Sequence, residues 1–285
     1  MKINCESGQF LTGLGDSITI SWIAEGSKNT DDPIELFATG TRKKLLEILG
    51  QKVAENAENS IICSDAYRAE LNDYGQMPRT EYIKQHLKRE DIEIKRPNYK
   101  IPEEELNWAK DETKTWGEKI ALLFPQTWWS PREWPKNYWI DLAWKLHGKG
   151  VKTIMMLHHQ EEDYKNIPGY YYGFSIEKVA AMMKVASIVI SNDSMPAHLG
   201  GTIEVPTLVL MGPTKTNIIE YIPNIEPMIS GMLDCVGCHF GQPFRAACDK
   251  GCMSLYSLFP DTVLERALEI IEENKPKPIK KRKTK

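Results

Sequence analysis

The strongest constraint on the fold is one uninterrupted stretch, Ser187 to Thr214, in which two apolar runs flank a short helical span. The runs, Ile188 to Ile190 and Thr207 to Met211, are bounded by turn residues and show no alternation of polar with apolar positions. Strands of that kind are buried on both faces, so the stretch predicts a parallel β-α-β unit. In the turn that follows the first strand, Asn192, Asp193 and Ser194 are strong N-cap types and Pro196 suits a first helical turn. A helix start carries free N–H groups and partial positive charge, which together attract anions. A second tight turn, Gly212-Pro213-Thr214, opens on the same edge, where open α/β sheets bind their ligands. A plain strand-to-helix turn needs the same caps. The convergence of two turns is what points to a ligand.

The rest of the chain repeats the β/α alternation. Met1 to Cys5 reads as a strand, and Gly13-Leu14-Gly15-Asp16-Ser17 as a turn whose Asp16 and Ser17 cap a helix through Ile18, Ile20, Trp22, Ile23 and Ala24, ended by Gly26. A lone Gly-x-Gly is weak as a phosphate-loop signal. Pro33 to Ala38 predicts a second strand, Thr41 to Leu49 a helix and Ser60 to Cys63 a third short strand. From Asp65 to Lys100 no period stands out, with Tyr67, Tyr74, Tyr82 and Tyr99 scattered among charges. Residues 101–117 read as an acidic, amphipathic linking helix between two halves. The second half opens with strand Lys119 to Phe124 and an aromatic segment, Pro125 to Pro135, that holds Trp128, Trp129, Arg132 and Trp134. A helix from Pro135 to His147 buries Tyr138, Leu142 and Leu146 at helical spacing; strand Val151 to Leu157 and helix Ile176 to Val185 follow. Pro260 to Asn274 closes the chain as a packing helix.

At 285 residues, with 41% hydrophobic content, the chain has core enough for two α/β domains. We expect an acceptor-side Rossmann-like domain over 1–100, the linker helix 101–117, and a nucleotide-sugar domain over 118–274 carrying a four-cysteine loop at 235–252. Residues 275–285 hold seven basic residues, two prolines and no acid, a composition that forms no packed element and reads as a disordered tail, solubilising or polyanion-binding. A formal net charge of −3 argues against a protein coated in nucleic acid. No apolar run approaches the ~20 residues of a membrane-spanning helix, and no signal segment opens the chain, so a soluble, cytoplasmic protein is expected.

Two clusters invite chemistry. His158, His159, Glu161 and Glu162 follow a strand end, but adjacent histidines on extended chain point to opposite sides, which disfavours a metal there. A strand-end acid taking ribose hydroxyls fits better, so Glu161 or Glu162 is the ribose candidate. Cys235-x2-Cys238-x9-Cys248-x3-Cys252 has the spacing of a closed tetrahedral thiolate site for zinc or iron. Two local disulfides and four free thiols are the alternatives; in a reducing compartment a structural metal would order a loop that lacks a core.

Asn192-Asp193-Ser194-Met195-Pro196-Ala197-His198-Leu199, with Val205-Pro206-Thr207 and Gly212-Pro213-Thr214, resembles the signature of the family 9 glycosyltransferases, the ADP-heptose:lipopolysaccharide heptosyltransferases and their relatives. Gly13-Leu14-Gly15-Asp16 resembles that family's Gly-x-Gly-Asp loop, and Arg132-Glu133-Trp134-Pro135 with Tyr138-Trp139 and Leu142-Ala143 its Lys/Arg-x-Trp-Pro segment. The likeness covers nearly all of 118–272 and a short piece of the first half, and Met195 stands where the family usually has glycine. It implies an α/β GT-B fold of two facing Rossmann-like domains, donor in the second and acceptor in the first, with an inverting mechanism and no catalytic metal. It further implies Asp16 as general base on the acceptor hydroxyl. The donor diphosphate would lie among Gly13, Gly15, Ser17, Arg132, Asn192, Asp193, Ser194, Met195, His198, Gly212, Pro213 and Thr214. Such an enzyme moves a hexosyl, heptosyl or pentosyl group from a nucleotide-diphospho-sugar. The basic tail and compact first half leave two acceptors open: a saccharide of lipopolysaccharide type, or a hydroxylated DNA base, as a phage-type divergent member would use, which must flip out of a duplex first. A nucleic-acid-binding module with a zinc clip would explain the tail and cysteines but none of the strand-end turns. A nucleotide-sugar epimerase or binding protein would make Asp16 dispensable.

Overall fold

The structure is a computed structural model that describes residues 1–6, 13–73, 75–167, 169–232, 235–238 and 252–274. Tyr74, Cys248 and the basic tail 275–285 lie outside the described residues. The first half contains β1 (Lys2–Asn4), α1 (Leu14–Ser27), β2 (Glu35–Phe37), α2 (Gly40–Ile48), α3 (Ser64–Asn72) and α4 (Arg79–Leu87). β1 and β2 pair in parallel, and the strand expected at Ser60 to Cys63 is reduced to one bridge, Ile61 to Ile3, because only that residue reaches the β1 edge. The region without a visible period proves to hold α3 and α4, whose apolar positions are diluted by charged residues.

α5 (Glu103–Thr113) leads into the second half: β3 (Ile120–Phe124), α6 (Lys136–Gly148), β4 (Lys152–Leu157), β5 (Tyr170–Tyr172), α7 (Ile176–Val185), β6 (Ile188–Asn192), α8 (Met195–Thr202), β7 (Thr207–Leu210), β8 (Ile225–Met228), α9 (Met253–Tyr256) and α10 (Pro260–Glu273). Among the described residues these strands form a parallel six-stranded sheet in the order β5-β4-β3-β6-β7-β8. The predicted β6-α8-β7 unit pairs Val189 with Thr207 and Asn192 with Leu210. β5 and β8 escape a search for apolar runs because they are edge strands of three and four half-exposed residues.

One face of this sheet packs on α6 and α10 through Trp134, Trp139, Leu142, Leu146, Val263 and Ala267. Within α6 it is Trp139, rather than the half-buried Tyr138, that joins Leu142 and Leu146 in the core. The other face packs on α7 and α8, and that core runs on without a break into α1 and α2 through Ile18, Trp22, Leu45 and Ile48. α1 is therefore buried on nearly every side, which explains why its sequence is apolar all round: Ile20, Ile23 and Ala24 turn to the first half's own core while Ile18 and Trp22 turn to the second. Trp22 Nε1 donates to Thr202 Oγ1 on α8 at 3.0 Å, tying the two halves at the point where their helix starts face each other. Among the described residues, no helix is long and apolar enough to cross a membrane.

Candidate functional site

A cleft of about 360 Å³ lies between the halves. From the first half it is lined by Gly13, Gly15, Asp16 and Arg79; from the second by the ends of β3 and β4, by Arg132, and by Asp193, Ser194, Met195 and His198 at the start of α8. Asp16 occupies the third position of α1, not the cap: Gly13 is the N-cap, and its N–H donates to Asp16 Oδ2 at 3.1 Å. The other oxygen, Oδ1, accepts from Arg79 Nη1 at 3.0 Å, so a helix-capping residue also presents a carboxylate to the cleft. Ser17 is buried and does not line the cleft.

On the opposite wall Ser194 is the N-cap of α8, yet its side chain makes no capping hydrogen bond. The helix start is left as a donor surface facing the cleft. Arg132 sits above it, its guanidinium 5.1 Å from the ring centre of Trp129, with Nε 3.3 Å from Asp193 Oδ2 and Nη1 3.4 Å from the Asp193 carbonyl. Both contacts are long for charge-assisted bonds, and Arg132 Nε and Asp193 Oδ1 are buried without a hydrogen-bond partner. The converging turns meet as expected, since Thr214 donates from Oγ1 to Asp193 Oδ2 at 2.6 Å. Burial is the largest influence on the Asp193 carboxyl and raises it, but Arg132, His198, the Thr214 hydroxyl and Arg79 together outweigh it and hold the group below the ordinary carboxylate value.

Three sequence candidates serve structure instead. Asn192 is fully buried: its Nδ2 donates to the Pro125 carbonyl at 2.6 Å, and its Oδ1 accepts from the Trp134 N–H at 3.1 Å, which anchors the segment carrying Arg132. Gly212 and Pro213 do not line the cleft. A Cβ at Gly212 would stand 2.9 Å from Cys252 Sγ, and the Gly212 carbonyl accepts from the Gly237 N–H at 3.0 Å, so this turn is the seat of the cysteine loop. Among the described residues, no group of three or more His, Cys, Asp or Glu is gathered to hold a metal.

His198 lies against Gly15, where a Cβ would come within 3.1 Å of its ring. Its Nδ1 is 3.0 Å from the Tyr221 hydroxyl, itself 2.8 Å from Thr19 Oγ1 on α1. Burial pushes the imidazole down to about 4, against the pull of Asp193, so the ring is neutral at pH 7. At the β4 end, Gln126 Oε1 accepts from the His158 and His159 N–H groups at 2.7 and 3.2 Å, and its Nε2 donates to Glu161 Oε1 at 2.7 Å. Glu161 also pairs with Lys136, and Glu162 points to solvent beside Lys165. Of this cluster, His158 and His159 line the cleft and the two carboxylates do not.

Sequence reasoning missed Arg79, Gln126 and the exposed Trp128 in the cleft lining, and Tyr221 behind His198. Arg79 alone left a signal: a cation in the first turn of α4 opposes the helix dipole and asks for a local carboxylate.

The family model of glycosyltransferase family 9 (heptosyltransferase) matches residues 68–238. Lipopolysaccharide heptosyltransferase 1 of Escherichia coli K12 is 27% identical over 109 residues, which are 35% of this chain and 34% of that protein. The chain thus aligns with about a third of that relative's length. Among solved structures, E. coli ADP-heptose lipopolysaccharide heptosyltransferase II superposes with a TM-score of 0.64 at 12% identity, covering 97% of this chain and 100% of the other. The dodecameric, iron-containing heptosyltransferase TibC of enterotoxigenic E. coli, solved with ADP-D-β-D-heptose, superposes with a TM-score of 0.67 at 12% identity, covering 95% of this chain and 76% of that one. The fold is GT-B: α/β, with two facing domains.

Proposed function

The chain belongs to glycosyltransferase family 9, and on that premise we propose that it is an inverting glycosyltransferase that moves a sugar from a nucleotide-diphospho-sugar to an acceptor hydroxyl. The observation that carries this reading is the facing of Asp16 and Arg132 across one cleft, above the uncapped start of α8. Asp16 would accept the acceptor hydroxyl's proton while its oxygen attacks the anomeric carbon from the face opposite the leaving group. The bond from that carbon to the diphosphate oxygen breaks, and the electron pair leaves with the diphosphate. Arg132 and the N–H groups at Ser194 and Met195 would take up that growing charge. Arg132 suits the task because its contacts with Asp193 are long and its Nε makes no hydrogen bond. Thr214 and Asp193 act behind it, holding the guanidinium over the helix start.

We propose ADP-heptose or a closely similar ADP-sugar as donor, since the TibC structure holds ADP-D-β-D-heptose, and a saccharide of lipopolysaccharide type as acceptor. The acceptor side would be residues 1–100 and the donor side 118–274, joined by 101–117. The cysteine spacing supports a structural metal, zinc or iron, held by Cys235, Cys238, Cys248 and Cys252; Cys252 approaches the turn that seats Cys235 and Cys238, and these three are not drawn together as ligands among the described residues. It would order the loop and take no part in transfer.

The test is release of ADP from ADP-D-β-D-heptose in the presence of a lipopolysaccharide core acceptor. Asp16→Asn should cut turnover at least about 100-fold while the dissociation constant for ADP changes less than about twofold, because the base acts on the acceptor. Turnover equal to that of the unaltered protein would remove Asp16 from the mechanism.

A further inference from the structure

The carboxylate assigned as base is not held by its own helix alone. Arg79, 7% exposed, lies between two carboxylates: Nε donates to Glu70 Oε2 at 2.9 Å and Nη1 to Asp16 Oδ1 at 3.0 Å. Glu70 is fully buried, and its second oxygen has no hydrogen-bond partner. A buried acid of that kind is costly unless a cation is fixed against it. Arg79 is itself badly placed for local structure, since it opens α4, where the helix dipole disfavours positive charge. Burial would lower its pKa, yet Glu70 and Asp16 together drive it above its ordinary value. Each of the two residues is unfavourable alone, and together they form a rigid arm reaching from α3 and α4 to the cleft.

That arm meets Asp16 at a defined oxygen. With the Gly13 N–H on Oδ2 and Arg79 Nη1 on Oδ1, the carboxylate is gripped at both ends and its plane is fixed. We infer that Arg79, pinned by Glu70, is a positioning residue that aims Asp16 at the acceptor. The inference rests on the proposed role of Asp16 and extends it, because neither Glu70 nor Arg79 belongs to the Gly-x-Gly-Asp loop or the α8 turn. A carboxylate free to rotate about χ2 would loosen its bond with the Gly13 N–H and would meet the acceptor hydroxyl in the wrong geometry for most of the time.

Two readouts test this in the full-length chain carrying Arg79→Met, Arg79→Lys or Glu70→Gln. Crystal structures need no assumption about substrate: in Arg79→Met the Asp16 carboxylate should turn so that its contact with the Gly13 N–H opens beyond 3.5 Å, or occupy two orientations. An unmoved carboxylate overturns the inference. With ADP-D-β-D-heptose as donor, Arg79→Met should lower kcat about 100-fold while the dissociation constant for ADP shifts less than about twofold, and Arg79→Lys should recover part of the loss. A role in folding alone would lower kcat and ADP binding together, with no rescue by lysine, and would overturn the inference as well. If Arg79→Met does not fold, Glu70→Gln decides: it keeps an oxygen for Arg79 Nε but removes the charge that holds the guanidinium against it, so kcat should fall by part of the Arg79→Met loss, and an unchanged kcat refutes the positioning role. If the unaltered protein releases no ADP from the sugar, the proposed transfer reaction falls, and the crystal structures still decide whether Arg79 fixes Asp16.

Discussion

Replacing Asn192 by alanine removes a buried side chain that ties the end of β6 to the segment carrying Arg132. Asn192 is 0% exposed and makes two bonds, to the Pro125 carbonyl at 2.6 Å and from the Trp134 N–H at 3.1 Å. Alanine leaves both backbone groups buried without partners, at about 1–3 kcal/mol each, so the expected loss is about 4 kcal/mol. At about 2–4 °C per kcal/mol for a large domain, the melting temperature should fall by about 10 °C. Asn192→Asp keeps the acceptor for Trp134 but sets a carboxylate against the Pro125 carbonyl, and should destabilise at least as much. Urea titration followed by tryptophan fluorescence measures the loss, because Trp134 and Trp139 pack edge to face in the core beside the lost bond, 5.1 Å apart. ADP binding should weaken too, since Arg132 lies two residues before Trp134. A variant within about 1 kcal/mol of the unaltered protein would refute the claim that Asn192 is the anchor of this wall.

Acid should act through His198. Its imidazole lies below the ordinary 6.5, at about 4 in the folded protein, so the unfolded chain takes up a proton first. The stability contribution is intact above pH 6.5 and drains away as pH falls toward 4, by about 3 kcal/mol. His198→Phe should flatten that part of the pH–stability profile measured by chemical denaturation; an unchanged slope refutes it. For the cysteine loop, elemental analysis should find about one zinc or iron per chain. Its removal by a chelator should lower the melting temperature while sparing ADP affinity. A metal-free protein of equal stability would favour disulfides or thiols.

The second half was legible in the sequence because its strands are buried on both faces. β3, β4, β6 and β7 have no exposed residue, so each appears as a bare apolar run, and the turns after them carry their capping residues in plain view. The first half was harder to read. Its sheet is two short strands plus a bridge at Ile61, and α3 and α4 bury few positions among many charges, so neither period rises above its surroundings. Asp16 was legible because it follows Gly15 in a turn and Ser194 because it is a capping residue two positions before Pro196, while Arg132 and His198 entered through the family resemblance. Arg79 and Tyr221 were missed because their partners are remote in sequence: Arg79 reaches the cleft 63 positions from Asp16, and Tyr221, behind the cleft wall, meets Thr19 from 202 positions away and backs His198. Asn192 was misassigned for a related reason. Sequence marks it as a cap residue, but only packing reveals that its amide is committed to Pro125 and Trp134.

On the proposed reading, the cleft holds a nucleotide diphosphate against Arg132 and the start of α8. Isothermal titration of the purified protein with ADP, UDP, GDP and CDP tests it most directly, run beside Arg132→Ala. ADP should bind with the highest affinity, and Arg132→Ala should weaken it at least about tenfold, the loss of a charge-assisted contact. No binding of any of the four, or ADP binding untouched by Arg132→Ala, would contradict that reading.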